Sequence, residues 1–343
     1  MDYSGKYIVF DARQIKTYPV NTRVNKVKLE NLMTPEKATK GNFKCEASIL
    51  AKIQDVANAV VDSRKNNKPV IFFSGAHLIK NGFGLLVCDL IKRNLITLFA
   101  GNGATTIHDF ELALIGQTSE YVPQALEKGQ FGMAYEFAYQ NYAVQLGNQN
   151  RLGYGESLGK MICDQDYRNK VLKIANNGVS RLKFAHPEVS VLAACYENNI
   201  PFTAHVGIGT DVIDQHGSFD GCAKGGCSGR DFLIYTQEVT KLAEGGVVLN
   251  VGSAVTGPEV FLKAASMAGN IGKVPNGIIT ADFDIRYYEP AQMTDETSQN
   301  YYFRDQKSVV TRIPQAYDGK GYYIQGNQRD TFPIFYKTVI ERL

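Results

Sequence analysis

Hydrophobic positions along the chain alternate between two rhythms. From Glu46, apolar residues recur at Ile49, Leu50, Ile53, Val56, Ala57 and Val60, which predicts an amphipathic helix. After the turn-forming Lys65-Asn66-Asn67-Lys68-Pro69 comes VIFFSG, a continuous apolar run ending in glycine. A strand buried on both faces of a parallel sheet reads this way. The rhythm repeats: Leu78 to Lys92 is helical, LITLFAGNG is strand and glycine turn, and Thr106 to Ile115 is helical again. Phe131, Tyr135, Tyr139 and Tyr142 then recur at helical spacing within a helix-rich stretch from Val122 to Lys160, with Phe137 off that stripe. Such a stripe reads as core or subunit contact.

Further on, Val189 to Glu197, Asp231 to Leu242 and Pro258 to Ala268 read as helices. IPFTAHVG, GGVVLNVGSAV and NGIITADFD read as strands. Strand and helix in alternation predict an α/β fold with a doubly wound, mostly parallel sheet. Residues 1–44 are polar and mixed and read as an N-terminal arm packed on the body or on a neighbouring subunit. Residues 45–285 carry the α/β rhythm. Residues 286–343 are rich in Tyr and charge, lack a clear period, and read as a C-terminal extension packed on the domain.

Composition narrows the function. Lys and Arg number 37 against 34 Asp and Glu, a net charge of +3, which argues against nucleic-acid binding through a broad basic face. No apolar run reaches the length of a membrane span, and the first residues lack a secretory layout, so a cytoplasmic protein is expected. The six cysteines are expected to be reduced. Cys222 and Cys227 in GCAKGGCSG read as thiols on a Gly-rich loop, and no metal site is expected there.

Ligands bind open parallel sheets beyond the carboxyl ends of the strands. Four such ends are rich in small residues: Ser74-Gly75-Ala76-His77, Asn102-Gly103-Ala104 with His108-Asp109, Gly207 to Asp211 with Asp214, and Asn250 to Ala254 with Thr256 to Glu259. Small residues admit a ligand close to the backbone, and helix N-termini favour phosphate oxygens. Neither GxGxxG after the first strand nor GxxxxGK[ST] is present, so a dinucleotide would need another arrangement of loops. Asp109 on a first helical turn reads either as a charge facing the helix dipole or as a hydrogen-bond partner for a ribose or a substrate amine. Asp211 and Asp214 read either as caps or as a clamp for a cationic amine. His205, inside a strand, is either a core residue or functional. Lys307 in YYFRDQKSVV is a candidate nucleophile.

Three stretches, GAHLIKNGFGLLVCDLIKRNLITLFAGNGATTIHDFELALIG, HPEVSVLAACYENNIPFTAHVGIGTD and GGVVLNVGSAVTGPEVFLKA, resemble the deoxyhypusine synthase superfamily. That superfamily includes the related LOR/SDH-type NAD-dependent ornithine cyclodeaminase domains. The resemblance implies a Rossmann-like NAD-binding domain and a homo-oligomer, a dimer or tetramer. It implies a small amine or amino acid substrate oxidised to an imine, as in a transferase or a deaminating, cyclising lyase. Ser74, Gly75, Ala76, Asn102, Gly103, Ala104, Asp109, Gly252 and Ser253 are then expected around NAD. Asp211, Asp214, Glu259, His108 and Lys307 are expected at the chemistry. The chain contains no Trp and so lacks the tryptophan-bearing segment that holds the synthase lysine. A nucleotide-binding or assembly protein without catalysis is the alternative.

Overall fold

A computed structural model describes residues 3–343. Six strands form the central sheet: β2 (Val70–Ser74), β3 (Leu98–Asn102), β5 (Phe202–His205), β6 (Val247–Val251), β7 (Ile279–Asp284) and β8 (Lys320–Gln325). A separate ribbon pairs β1 (Asn25–Lys28) with β4 (Gln117–Glu120), antiparallel. All neighbours in the central sheet are parallel, in the order β5-β3-β2-β6-β7-β8. Counted along the chain within that sheet, this is 3-2-1-4-5-6, the order of dinucleotide-binding doubly wound folds. The direction of winding reverses between β2 and β6.

Every residue of β2 and β6 is buried, as their continuous apolar runs require. On one face, Ile71, Phe73, Ala100 and Val248 pack with Tyr235 and Val239 of helix Gly221–Val239 and with Phe261 and Ala264 of helix Thr256–Asn270. On the other, Phe72, Leu249, Phe283 and Ile324 join a larger core reaching helices Ala47–Lys65, Gly84–Lys92 and Gln328–Ile340. Among the described residues no helix is long and apolar enough to cross a membrane.

The expected alternation holds, with local corrections. Leu78 to Lys92 is two helices, Ala76–Lys80 and Gly84–Lys92, parted where Gly82 takes φ +86°. The segment GCAKGGCSG is helical and not a loop. The Asp220 carboxylate caps it by accepting from Ala223 N at 3.0 Å, and Gly226 lets Asn148 approach closely. Cys222 is exposed and Cys227 buried on that helix. The aromatic stripe is broken: Tyr139 and Tyr142 lie in helix Ala138–Gln149, Phe131 and Tyr135 precede it, and Phe137, off the stripe, is buried along with Tyr139.

The tail is more than an appendage. It contributes β8, the sixth strand, and helix Gln328–Ile340, which packs against helix Ala47–Lys65. The edge strand β5 is sealed by Asp231, whose Oδ2 accepts from Ala204 N at 2.7 Å and from Gly155 N at 3.1 Å. One carboxylate thus satisfies an edge amide and the N-terminus of helix Tyr154–Cys163.

Candidate functional site

The four small-residue turns all lie at the carboxyl edge of the sheet, because each follows a strand of one parallel set. They close on one another in pairs. Gly75 N donates to Val251 O at 2.9 Å, and Gly252 N donates to Phe283 O at 3.1 Å. A side chain at Gly75 would collide with the Gly252 carbonyl. Gly252, at φ +67°, lies against the carboxamide of Gln328. Ser74 is buried, its hydroxyl donating to Gly75 O at 2.8 Å, and Ala76 opens the helix that follows. Ser253 Oγ accepts from Gly257 N at 2.9 Å, so it serves the N-terminus of helix Thr256–Asn270.

The second pair joins the ends of β3 and β5. The Asn102 side chain caps helix Gly103–Ile115, accepting from Thr105 N at 2.9 Å, and Ala104 lies on its first turn. The Asp211 carboxylate sits directly against Gly103. An anion is favoured at a helix N-terminus, and here the protein supplies its own.

Asp211 and Asp214 do clamp an ammonium group, but that of Lys224. Its Nζ donates to Asp211 Oδ2 at 2.7 Å, Asp214 Oδ1 at 2.6 Å and Gly207 O at 3.0 Å. Lys224 is 2% exposed and all three of its donors are used. Burial raises Asp211, against the pull of the Lys224 charge. Sequence reasoning missed Lys224 because a lysine among glycines reads as a surface residue of a loop.

The other expected residues are dispersed. Asp109 is fully buried: its oxygens accept from Ser190 Oγ at 2.5 Å, Val191 N at 2.7 Å and Leu192 N at 3.0 Å, capping helix Val191–Glu197. It therefore faces the interior and not a ribose, which corrects the ligand role expected for it; burial lifts its carboxyl to about 6. Glu259 pairs with Lys263 and, at 3.8 Å, with Arg304. Lys307 is buried and donates to Tyr301 O at 3.2 Å, away from any open nucleophile position. His108 Nδ1 lies 2.7 Å from Thr118 Oγ1. His205 is a core residue, stacked on Phe73 and held neutral by burial that lowers it to about 3.

The open space lies towards β7 and β8. A cavity of 290 Å³ is lined by His77, Asn81, Gly252, Asp284, Ile285 and the residues Gly326 to Gln328. A second, of 380 Å³, shares Ile285, Gly326 and Asn327 with it and runs on to Lys44, Tyr287 and Asp330. Together they form a trough along the strand ends from the winding reversal outwards, of the size a nucleotide-class ligand needs. Ile285 and Tyr287 are 68% and 67% exposed, offering apolar surface to a base or ring. Helix Gln328–Ile340, capped by Asn327, aims its N-terminal amides at the same place. Asp284 is held below the usual carboxylate range: burial pushes it up, but hydrogen bonds from Arg286 outweigh that. Tyr287, Gln325 to Gln328, Asp330 and Thr331 in these walls belong to the tail, which was expected to be an extension. The signal was present in YYIQGNQRD, a strand, a glycine and a capping Asn before a helix, but the irregular period around it hid it.

A separate cavity of 460 Å³, lined by Gly155, Cys195, Ile200 and Ile234 among others, opens beside Pro201 and Phe202 at the start of β5, away from the strand carboxyl ends. No group of three or more His, Cys, Asp or Glu suited to a metal ion occurs among the described residues.

Fold and trough together define a doubly wound α/β protein with a ligand-sized groove at its winding reversal. No protein-family model and no curated protein sequence matches the chain. Among solved structures it is similar to ArgZ, an arginine dihydrolase from the ornithine–ammonia cycle in cyanobacteria, at 15% identity and TM-score 0.44, covering 87% of this chain and 32% of that one. It is similar to AgrE, in a ternary complex with ornithine and NAD+, at 16% identity and TM-score 0.45, covering 88% and 34%. A candidate deoxyhypusine synthase from Entamoeba histolytica is similar at 7% identity and TM-score 0.43, covering 95% and 97%. The chain thus spans about a third of the length of ArgZ and AgrE. These identities are too low to carry a residue's role from one chain to another.

Proposed function

We propose that the protein is a divergent NAD-dependent enzyme of the deoxyhypusine synthase-like kind, acting on a small amine or amino acid through an imine. The observation that carries this reading is the trough at the reversal of a 3-2-1-4-5-6 sheet, where Gly75 and Gly252 bring two strand ends into contact. The residues present suit a dinucleotide. The N-terminus of helix Gln328–Ile340 favours phosphate, Ile285 and Tyr287 offer apolar faces to a ring, and Asn81, Asn327 and Gln328 offer hydrogen bonds. Bound there, NAD would supply a hydride acceptor. The chain's own part is to hold the amine and exclude water. Asp284 lies beside the cavity with both carboxylate oxygens bonded to Arg286, so in this reading the amine is met by the carboxamides of Asn81 and Gln328 and not by a free carboxylate. In this reading the protein is cytoplasmic and works as a homo-oligomer.

Lys224 favours a second reading, a nucleotide-binding or assembly protein without catalysis, because it fills the carboxylate clamp internally. One assay separates the two. Purified protein is titrated with NAD+ by calorimetry, then ornithine, arginine and a panel of primary amines are added while NADH absorbance is followed. Binding with amine-dependent reduction is expected. Binding without reduction by any amine supports the second reading, and no binding refutes the NAD-dependent enzyme.

A further inference from the structure

His108 sits at the end of a hydrogen-bonded chain that reaches into the N-terminal arm. Its Nδ1 is 2.7 Å from Thr118 Oγ1 in β4 and 3.5 Å from the Glu111 carboxylate one turn along its own helix. The Thr118 hydroxyl in turn contacts Glu111 Oε2, and Glu111 Oε1 is paired with Arg23 of the arm. Arg23 and Glu111 side chains are 3% and 4% exposed, and a second carboxylate, Glu120, lies 3.8 Å from the same guanidinium. Tyr18 and Gly132 N hold Glu120 in place, at 2.7 Å and 3.0 Å.

The protons in this chain can be placed by elimination. Burial raises Glu111, but hydrogen bonding and the charge of Arg23 oppose it and bring it below the usual carboxylate range, so it is ionised and accepts only. The Thr118 hydroxyl has one hydrogen, and the carboxylate takes it. The remaining lone pairs of Thr118 face His108, whose Nδ1 must therefore carry a hydrogen. Nε2 is then the bare nitrogen of the neutral ring. It has no hydrogen-bond partner among the described residues, and the side chain is 20% exposed. Helix Ala76–Lys80, whose His77 lines the trough, packs on the His108 helix.

We propose that His108 is a proton-accepting imidazole held in the Nδ1–H form by Thr118 and Glu111, and that Arg23 of the arm is the positioning residue that keeps Glu111 ionised. The arm on this account sets the tautomer of a part-exposed imidazole. Thr118 and Glu111 act through His108, and neither touches a ligand. The proposal rests on the enzymatic reading only in giving Nε2 a substrate to act on. The tautomer itself is read with no cofactor present, so its failure and a failure to bind NAD are separate results.

The test is nitrogen-15 NMR of histidine-labelled full-length protein, with His108 assigned by its loss in His108→Gln. In its neutral form, His108 should show the pyrrole-type shift at Nδ1 and the pyridine-type shift at Nε2. Thr118→Val should mix the two forms, and Thr118→Ser should restore one. A wild-type ring protonated at Nε2 overturns the proposal, whether or not any variant folds. An unchanged tautomer in a folded Thr118→Val protein removes Thr118 from the chain.

Discussion

Lys224→Met should cost about 3–5 kcal/mol of stability, read as a lower midpoint in urea unfolding at neutral pH. Methionine fills most of the volume of the lysine stem, so the loss is electrostatic. Asp211 and Asp214, with side chains 6% and 5% exposed, would be left without their common cation. Replacing both carboxylates as well, in Lys224→Met with Asp211→Asn and Asp214→Asn, should recover more than half of the loss, because neutral amides need no counter-charge. A single variant as stable as wild type would show that the triad is not a closed ion cluster. The same geometry makes Asp211→Ala a destabilising change first, since it strands part of a buried ammonium group, and an effect on ligand affinity would be measured in a weakened protein.

Stability should also fall as pH rises towards neutrality, through Asp231. Burial lifts its carboxyl from 3.8 to about 7, despite hydrogen bonds from the amides of Ala204, Gly155 and Tyr154. Between the ordinary value and the lifted one, the folded protein holds a proton that the unfolded chain has released, so stability decreases as pH rises across that window. About three pH units correspond to about 4 kcal/mol. Asp231→Asn keeps an oxygen for the amides of Ala204 and Gly155 and removes the titration. The difference in unfolding free energy between wild type and variant should therefore change with pH from 4 to 7, in the variant's favour at the upper end. A constant difference across that range would mean that Asp231 stays ionised in the fold.

The sheet was legible because five of its six strands announce themselves as short apolar runs, four of them closed by glycine, such as VIFFSG and VVLNVG. Their order was not legible, since pairing depends on contacts far apart in the chain. β8 was missed because KGYYIQ carries polar and aromatic residues suited to a sheet edge, with exposed Lys320 and half-buried Gly321 and Tyr322. The turns at Gly75, Asn102 and Gly252 were found at the correct edge, yet their glycines serve contacts between loops as much as access for a ligand. Asp109 and Asp211 show the limit of reading carboxylates from sequence. A buried acid that caps a helix and one that grips a substrate carry the same letter, and only Ser190 and Lys224, 81 and 13 residues away, decide between them.

Hydrogen–deuterium exchange of the full chain, with and without NAD+, tests most directly whether a dinucleotide lies in the trough. Protection is predicted at residues 74–78, 252–254, 284–287 and 326–330, the segments that wall it. Unchanged exchange at all four, or protection confined to the cleft around Gly155, Ile200 and Ile234, would contradict the account.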